Sequence, residues 1–88
     1  MNQTQIEKTR EEIKNAIKDQ TKIFLHFYGT KKENYTTRSQ HIMGMIEMLT
    51  HITGHTELIT WLRSHHHWLK LKADYLSYGL DVDVDMNE

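Results

Sequence analysis

The feature that most constrains this chain is the spacing of its glycines in a sequence that contains no proline. Gly29, Gly54 and Gly79 recur at intervals of 25 residues, and each follows a segment with helical periodicity of its apolar residues. Glycine commonly follows a helix because it adopts the left-handed backbone conformation without a steric penalty. The spacing therefore predicts three helices. We place them at residues 5–28, 37–53 and 57–78.

Each predicted helix also opens with a pattern that is typical of a helix N-terminus. Thr4 with Glu7 and Thr37 with Gln40 match the capping box, in which the two side chains bond to backbone N–H groups of the first turn. Thr56 precedes an acidic residue, which is favourable near the positive end of the helix dipole. These caps support the three boundaries.

The first two predicted helices differ in how their apolar residues are distributed. In the first, they form one stripe that we expect to be buried and that is thin at its N-terminal end. Its members are Ile6, Ile13, Ile17, Phe24, Phe27 and Tyr28. In the second, apolar residues cover most of the circumference, which is typical of a central helix. We expect Met43, Met45 and Met48 to fill gaps in its core.

The third predicted helix contains three consecutive histidines in the stretch LRSHHHWLKL. Because neighbouring residues on a helix are about 100° apart, His65 falls within the apolar arc while His66 and His67 point away from it. The three imidazoles therefore cannot act as one unit while the segment stays helical. Trp61, Trp68 and Tyr75 form a ridge beside the arc.

The last segment, LDVDVDMNE, alternates apolar and acidic residues. No other segment of the chain reads as a strand, so we expect this tail to be frayed or to dock on a partner. The sequence thus predicts an all-α protein, a small three-helix bundle with a short extended acidic C-terminal tail. Residues 1–80 form the single helical domain, and residues 81–88 form the tail.

Metal, cofactor and enzyme chemistry find little support in the sequence. There is no cysteine, no Gly-rich phosphate loop and no nucleophile motif. Within the third helix no histidine has a second metal-ligating residue three or four positions away. The repeat DVDVD matches only the opening of a calcium-binding loop. We expect no catalysis, no cofactor and no specific metal, although the histidines leave adventitious binding open.

The segment LTHITGHTELITWL resembles the helix-turn-helix of DNA-binding regulators over about 20 residues. Gly54 lies in the expected turn and Thr56 at the expected cap, whereas His55 replaces the usual small aliphatic residue. The resemblance implies a transcriptional regulator whose third helix faces DNA. The side chains toward the duplex would be Thr60, Arg63, His67 and Lys70.

The alternative that we favour from the sequence is binding to another protein. The net charge of −1 gives no bulk attraction to polyanions, and no apolar run is long enough to span a membrane. We expect a cytoplasmic regulator or inhibitor, of the kind that phages and mobile elements also encode, with an unidentified protein partner and a homodimeric state. Its predicted contact residues are Trp61, His65, Trp68, Lys72 and Tyr75.

Overall fold

The computed structural model describes residues 3–52 and 56–84, and in these residues it contains three α-helices and no strand. Helix α1 spans Gln3–Tyr28, α2 spans Lys32–Thr50 and α3 spans Thr56–Ser77. The predicted all-α three-helix fold is therefore confirmed. The stretch of residues 62–71 that carries the three histidines is continuous α-helix.

Glycine ends two of the helices as predicted. Gly29 has a φ of +99° and Gly79 a φ of +74°, in the region that other residues adopt only with strain. The N–H of Leu80 donates to the carbonyl oxygen of Tyr75 at 2.9 Å, which is the outer hydrogen bond of a Schellman motif. Helix α2 ends at Thr50, and Gly54, where its end was predicted, lies outside the described residues.

Helix α2 begins at Lys32, five residues before its predicted start. Thr37 is therefore not a cap. It lies inside the helix, where its hydroxyl donates to the carbonyl oxygen of Glu33 at 2.9 Å. The additional turn brings Tyr35 into the core. The prediction was wrong here because a capping-box pattern follows the true start, whereas the observed N-cap residue, Lys31, makes no side-chain cap hydrogen bond.

Helices α2 and α3 supply all the fully buried apolar side chains of the described residues. These are Tyr35, Ile42, Ile46, Leu58, Trp61, Leu62, Leu69 and Ala73. The rings of Tyr35 and Trp68 meet at 6.1 Å near one end of the pair, and Leu49 and Leu58 line one cavity near the other end. The two helices therefore form an antiparallel hairpin that is in contact along its length.

Helix α1 lies over this hairpin and runs parallel to α3. Arg10 forms an ion pair with Glu57 at the start of α3, and the Thr21 hydroxyl meets the ring of His65 two turns further along that helix. Thr21 is the one fully buried side chain that α1 contributes among the described residues. Helix α1 is therefore attached to the core by these polar contacts, and it contributes little fully buried surface to the core.

Several side chains predicted to be buried lie at the surface instead. On α1, Phe27 is 77% exposed and Tyr28 is 69% exposed. Phe27 lies about 120° around the helix from Thr21, the centre of the buried side, and Tyr28 sits at the helix end against Phe24. On α2, Met43 and Met48 are exposed as well. The expected buried stripe of α1 and methionine core of α2 are therefore corrected at these positions.

The first part of the acidic tail folds back on α3, contrary to the prediction that it frays or needs a partner. The Lys72 ammonium donates to Asp81 Oδ1 and to the carbonyl oxygen of Val82, both at 2.7 Å. The indole N–H of Trp68 donates to the carbonyl oxygen of Val84. Lys72 and Trp68 lie four residues apart on one face of α3, so together they hold this stretch of extended chain. Residues 85–88 lie outside the described residues.

This arrangement of the core predicts a large difference between two isoleucines. Ile42 is fully buried between α2 and α3, whereas Ile23 on α1 is about half exposed. We expect Ile42→Ala to lower the free energy of unfolding by about 2–5 kcal/mol, and Ile23→Ala by less than about 1 kcal/mol. Urea denaturation followed by circular dichroism measures both values. Equal losses would contradict a core made by the hairpin alone.

Candidate functional site

An apolar groove runs between α1 and the hairpin, on the side where α1 faces α2. It contains two adjoining cavities of about 300 Å³ and about 360 Å³. Ile13, Ile17 and Met45 line both cavities, so the two form one continuous groove. The second cavity is completed by apolar residues, namely Met48, Leu49, Leu58 and Leu62. We call this the α1–α2 groove.

The rim of the α1–α2 groove is open. Ile13 on one wall is 36% exposed, and Met48 on the other is 66% exposed. Ile6, seven residues before Ile13 on α1, and Ile52, four residues after Met48, are also exposed. The apolar stripe of α1 is thin at its N-terminal end, as the sequence indicates, but Ile6 and Ile13 there are exposed instead of buried. Exposed apolar residues that cluster in this way are typical of a binding surface.

A buried polar junction joins the three helices beneath the groove. Its centre is the hydroxyl of Thr21, which lies 2.9 Å from the carbonyl oxygen of Ile17 and 3.1 Å from His65 Nε2. Arg38 Nε donates to the same hydroxyl at 3.0 Å. Thr21, Arg38 and His65 are each at most 7% exposed. Side chains from all three helices therefore converge on a single oxygen atom, that of the Thr21 hydroxyl.

The hydrogen bonds of the junction select one tautomer of His65. A hydroxyl has one hydrogen to donate, and a carbonyl oxygen can only accept, so the Thr21 hydrogen points to Ile17. His65 Nε2 then carries the hydrogen and donates to Thr21. This leaves His65 Nδ1 as a buried acceptor that has no hydrogen-bond partner in the described part of the chain. The alternative tautomer would strand a buried N–H donor, which costs more.

The junction favours neutral histidine next to a buried cation. Burial, together with the positive charges of Arg38 and Lys18, lowers the pKa of His65 from 6.5 to about 4. Burial also lowers the pKa of Arg38. No carboxylate contributes to either shift. The site therefore holds one guanidinium charge without a counter-charge among the described residues.

The predicted partner-contact residues are placed largely inside the protein. His65 lies in a ring stack between Trp61, at a centroid distance of 5.0 Å, and Trp68, at 5.8 Å. Trp61, His65 and Lys72 are buried. Trp61 and His65 stack on each other, and the Lys72 ammonium is already bonded to the tail, so these three residues do not offer an open contact surface. Trp68 and Tyr75 keep partial exposure, and the tail covers the indole N–H of Trp68. The ridge of Trp61, Trp68 and Tyr75 is therefore not the open surface that the sequence predicted.

The side chains of the three histidines point in different directions, but the direction of one of them differs from the prediction. His67 points to solvent as predicted, but His66 packs against α2 instead of pointing away. Its Nδ1 lies 2.8 Å from Ser39 Oγ and 2.9 Å from the Ser39 carbonyl oxygen. Across residues 3–52 and 56–84, no three His, Asp or Glu side chains come together as a metal-binding group.

The predicted DNA-contact residues all lie on one exposed face of α3. They are Thr60, Arg63, His67 and Lys70. The packing of α2 and α3, however, differs from that of a helix-turn-helix, whose two helices cross at about 90–120° and contact each other near the turn. Here the pair Ser39 and His66 lies several turns from the connection, as does the pair Tyr35 and Trp68. The helix-turn-helix resemblance does not extend to this geometry.

Sequence reasoning missed Thr21 and Arg38. A signal was present for each, because both are polar residues at the centre of an apolar face. Thr21 lies three residues before Phe24 and four after Ile17, and Arg38 lies four before Ile42. A polar side chain in such a position must find buried partners. Which partners it finds depends on the other helices, and the sequence alone does not show this.

No protein family, no curated protein and no solved structure matches the chain. None of the helices in the described ranges is long and apolar enough to cross a membrane.

The junction predicts that stability depends on pH through His65. Its pKa is near 4 in the folded chain and 6.5 in an unperturbed histidine, so between these values the unfolded chain binds a proton that the folded chain does not. The free energy of unfolding should thus be highest above pH 6.5 and fall by up to about 1.4 kcal/mol per pH unit as the pH drops toward 4.

Urea denaturation at several pH values in this window tests the prediction. His65→Gln retains an amide that can donate to Thr21 but cannot titrate, so its stability should vary less with pH than that of the wild type. His67→Gln is the matched control, because His67 is exposed, and it should keep the wild-type slope. A wild-type slope in His65→Gln would rule out His65 as the source.

Proposed function

We propose that this chain is a non-catalytic binding protein that takes up an amphipathic helix of another protein in the α1–α2 groove. The observation that carries the proposal is the open, continuous apolar groove between α1 and α2. Helices that dock in such grooves present apolar side chains at spacings of three, four and seven residues. Binding of such a helix would regulate the larger protein that carries it, in proportion to the fraction of grooves occupied. This is the behaviour expected of a regulator or inhibitor.

The unequal packing of the three helices supports this proposal. The α2–α3 hairpin has a complete core, whereas α1 leaves Ile13 on its groove side only partly covered. A fourth helix laid between α1 and α2 would bury Ile13 and Met48 and complete a four-helix arrangement. Burial of apolar area is the main source of affinity for such a helix. The homodimer predicted from the sequence stays a prediction, and light scattering tests it directly.

The proposal predicts that two methionines on α2 respond differently to the same substitution. Met48→Asp puts a charge on the groove wall, and we expect it to weaken capture of the partner by about tenfold or more. Met43→Asp is the matched control, because Met43 is also exposed but lies about 140° around the helix from Met48. Both side chains are exposed, so both variants should remain folded.

Photocrosslinking provides the measurement. A benzophenone side chain placed at position 48 in the native host should label an amphipathic helical segment of one protein, and the same group at position 43 should not. The affinities of the identified segment for the wild type and the two Asp variants then follow from calorimetry. Equal labelling at both positions, or equal affinities of the two variants, would contradict the use of the groove.

A second candidate is DNA binding through the exposed face of α3. The observation that favours it is the position of Arg63, His67 and Lys70 on one solvent-facing side. Cations aligned on a helix can contact phosphates in a sequence-independent way. The antiparallel packing of α2 and α3 weighs against it, because it lacks the crossing that presents a recognition helix to the major groove.

The DNA candidate predicts duplex binding that is weakened by added salt and by loss of two cations. Arg63→Ala with Lys70→Ala should reduce retention of a labelled duplex and lower the slope of log affinity against log salt by about two. Lys22→Ala with Lys31→Ala, which removes two exposed cations elsewhere, serves as the control. No retention of duplex by the wild type at low salt would remove this candidate.

A further inference from the structure

The guanidinium of Arg38 is an unusual charge because it is buried and no carboxylate in the described residues compensates it. It is 7% exposed, and its pKa is lowered by burial with no contribution from a carboxylate. Its hydrogen bonds go to neutral groups, from Nε to the Thr21 hydroxyl at 3.0 Å and from Nη2 to the Ile17 carbonyl oxygen at 3.5 Å. Buried charges are normally paired, and arginine has five N–H donors to satisfy.

The position of Arg38 connects this charge to the α1–α2 groove. Arg38 lines the first cavity together with Gln20, while Ile13, Ala16 and Met45 supply its apolar surface. One end of the groove therefore contains a cation and an amide within its apolar lining, whereas the lining of the other end, at Leu49, is entirely apolar. From Arg38 to Leu49 along α2 is about 16 Å at 1.5 Å per residue. This length corresponds to about three turns of a docked helix.

We propose that the helix taken up by the α1–α2 groove carries an aspartate or glutamate that pairs with Arg38, about three turns from its apolar anchors beside Met48. The inference rests on the proposed function and names the chemistry of the partner. A carboxylate can bond to the guanidinium through two parallel N–H groups, which is the arrangement that arginine favours. The charge complementarity sets the direction in which the helix lies.

A peptide helix fits the site better than a single aliphatic carboxylate. The groove is open along its rim, with Ile13 and Met48 accessible from solvent, so a wide amphipathic element can lie in it. Ile6, seven residues before Ile13, and Ile52, four residues after Met48, offer further exposed apolar side chains. An aliphatic chain and a second copy of this protein are the other occupants to be tested.

The experiment selects binders to the full-length chain from a display library of helical peptides about five turns long. The library has leucine or isoleucine at positions i, i+4 and i+7 and random residues elsewhere. Peptides that bind the wild type and Met43→Asp but not Met48→Asp are those that use the groove. We expect these peptides to share an acidic residue at one fixed distance from the apolar positions.

The carboxylate is then tested on the peptide, so that the fold of the protein is untouched. Replacing the shared glutamate by glutamine should weaken binding by about tenfold or more. Arg38→Gln, if circular dichroism shows it folded, should bind both peptides equally. If Arg38→Gln does not fold, the affinities of the glutamate and glutamine peptides for the wild type decide by themselves whether the carboxylate is needed.

The outcomes separate this inference from the proposed function. Groove-dependent peptides with no shared acid, or with equal affinity as glutamate and glutamine forms, overturn the inference and leave the proposed function standing. No groove-dependent peptide at all overturns both. Binding of laurate without any peptide, or a wild-type dimer that Met48→Asp dissociates, also overturns the inference, because the occupant is then an aliphatic carboxylate or a second copy.

Discussion

The hydroxyl of Thr21 is the point on which the arrangement of the three helices depends. Helix α1 adds no fully buried apolar side chain to the core in the described residues, and its Ile17 and Leu25 pack against the core only with partial burial. Its buried polar contacts therefore matter for its position. At Thr21 it receives a hydrogen bond from Arg38 of α2 and another from His65 of α3. Buried hydrogen bonds are directional, and leaving a partner unmatched is costly. They therefore fix the register of α1 where apolar packing alone would allow it to slide.

This way of fastening α1 has a direct consequence for the groove. A helix that was fully packed against both α2 and α3 would close the space between Ile13 and Met45. Thr21 holds the last third of α1 and the ion pair of Arg10 with Glu57 holds its first third, and between these two contacts the apolar side chains leave a gap. The polar junction and the open apolar groove are thus two results of one constraint.

The sequence predicted the helices well and their burial less well. Glycine positions and apolar periodicity are local properties, so they located all three helices and two of the ends. Burial is set by neighbouring helices, which is why exposed Phe27 and Met48 were taken for core. Tyr35 was missed because a false cap at Thr37 displaced the start of α2. The groove itself was not predictable, since it depends on the distance between α1 and α2.

The candidate site could be predicted only in fragments. The placement of His65 within the apolar arc of α3 followed from helical geometry and is confirmed by its burial. Its partners, Thr21 and Arg38, belong to other helices and come together only through the tertiary fold. The same limit explains the tail, because the alternation of LDVDVD indicates extended chain but does not indicate that Lys72 will hold it. Contacts between distant segments require the packing to be known.

The weak packing of α1 also links binding to stability. An occupant of the groove would contact Ile13 on α1 and Met48 on α2, so it adds the apolar contacts between these helices that the free chain lacks. A ligand that binds only the conformation with α1 docked stabilises that conformation in proportion to its occupancy. Conversely, protonation of His65 disfavours the junction that holds α1 and so disfavours the groove. Binding of the proposed partner and the charge state of His65 would therefore be coupled through the position of one helix.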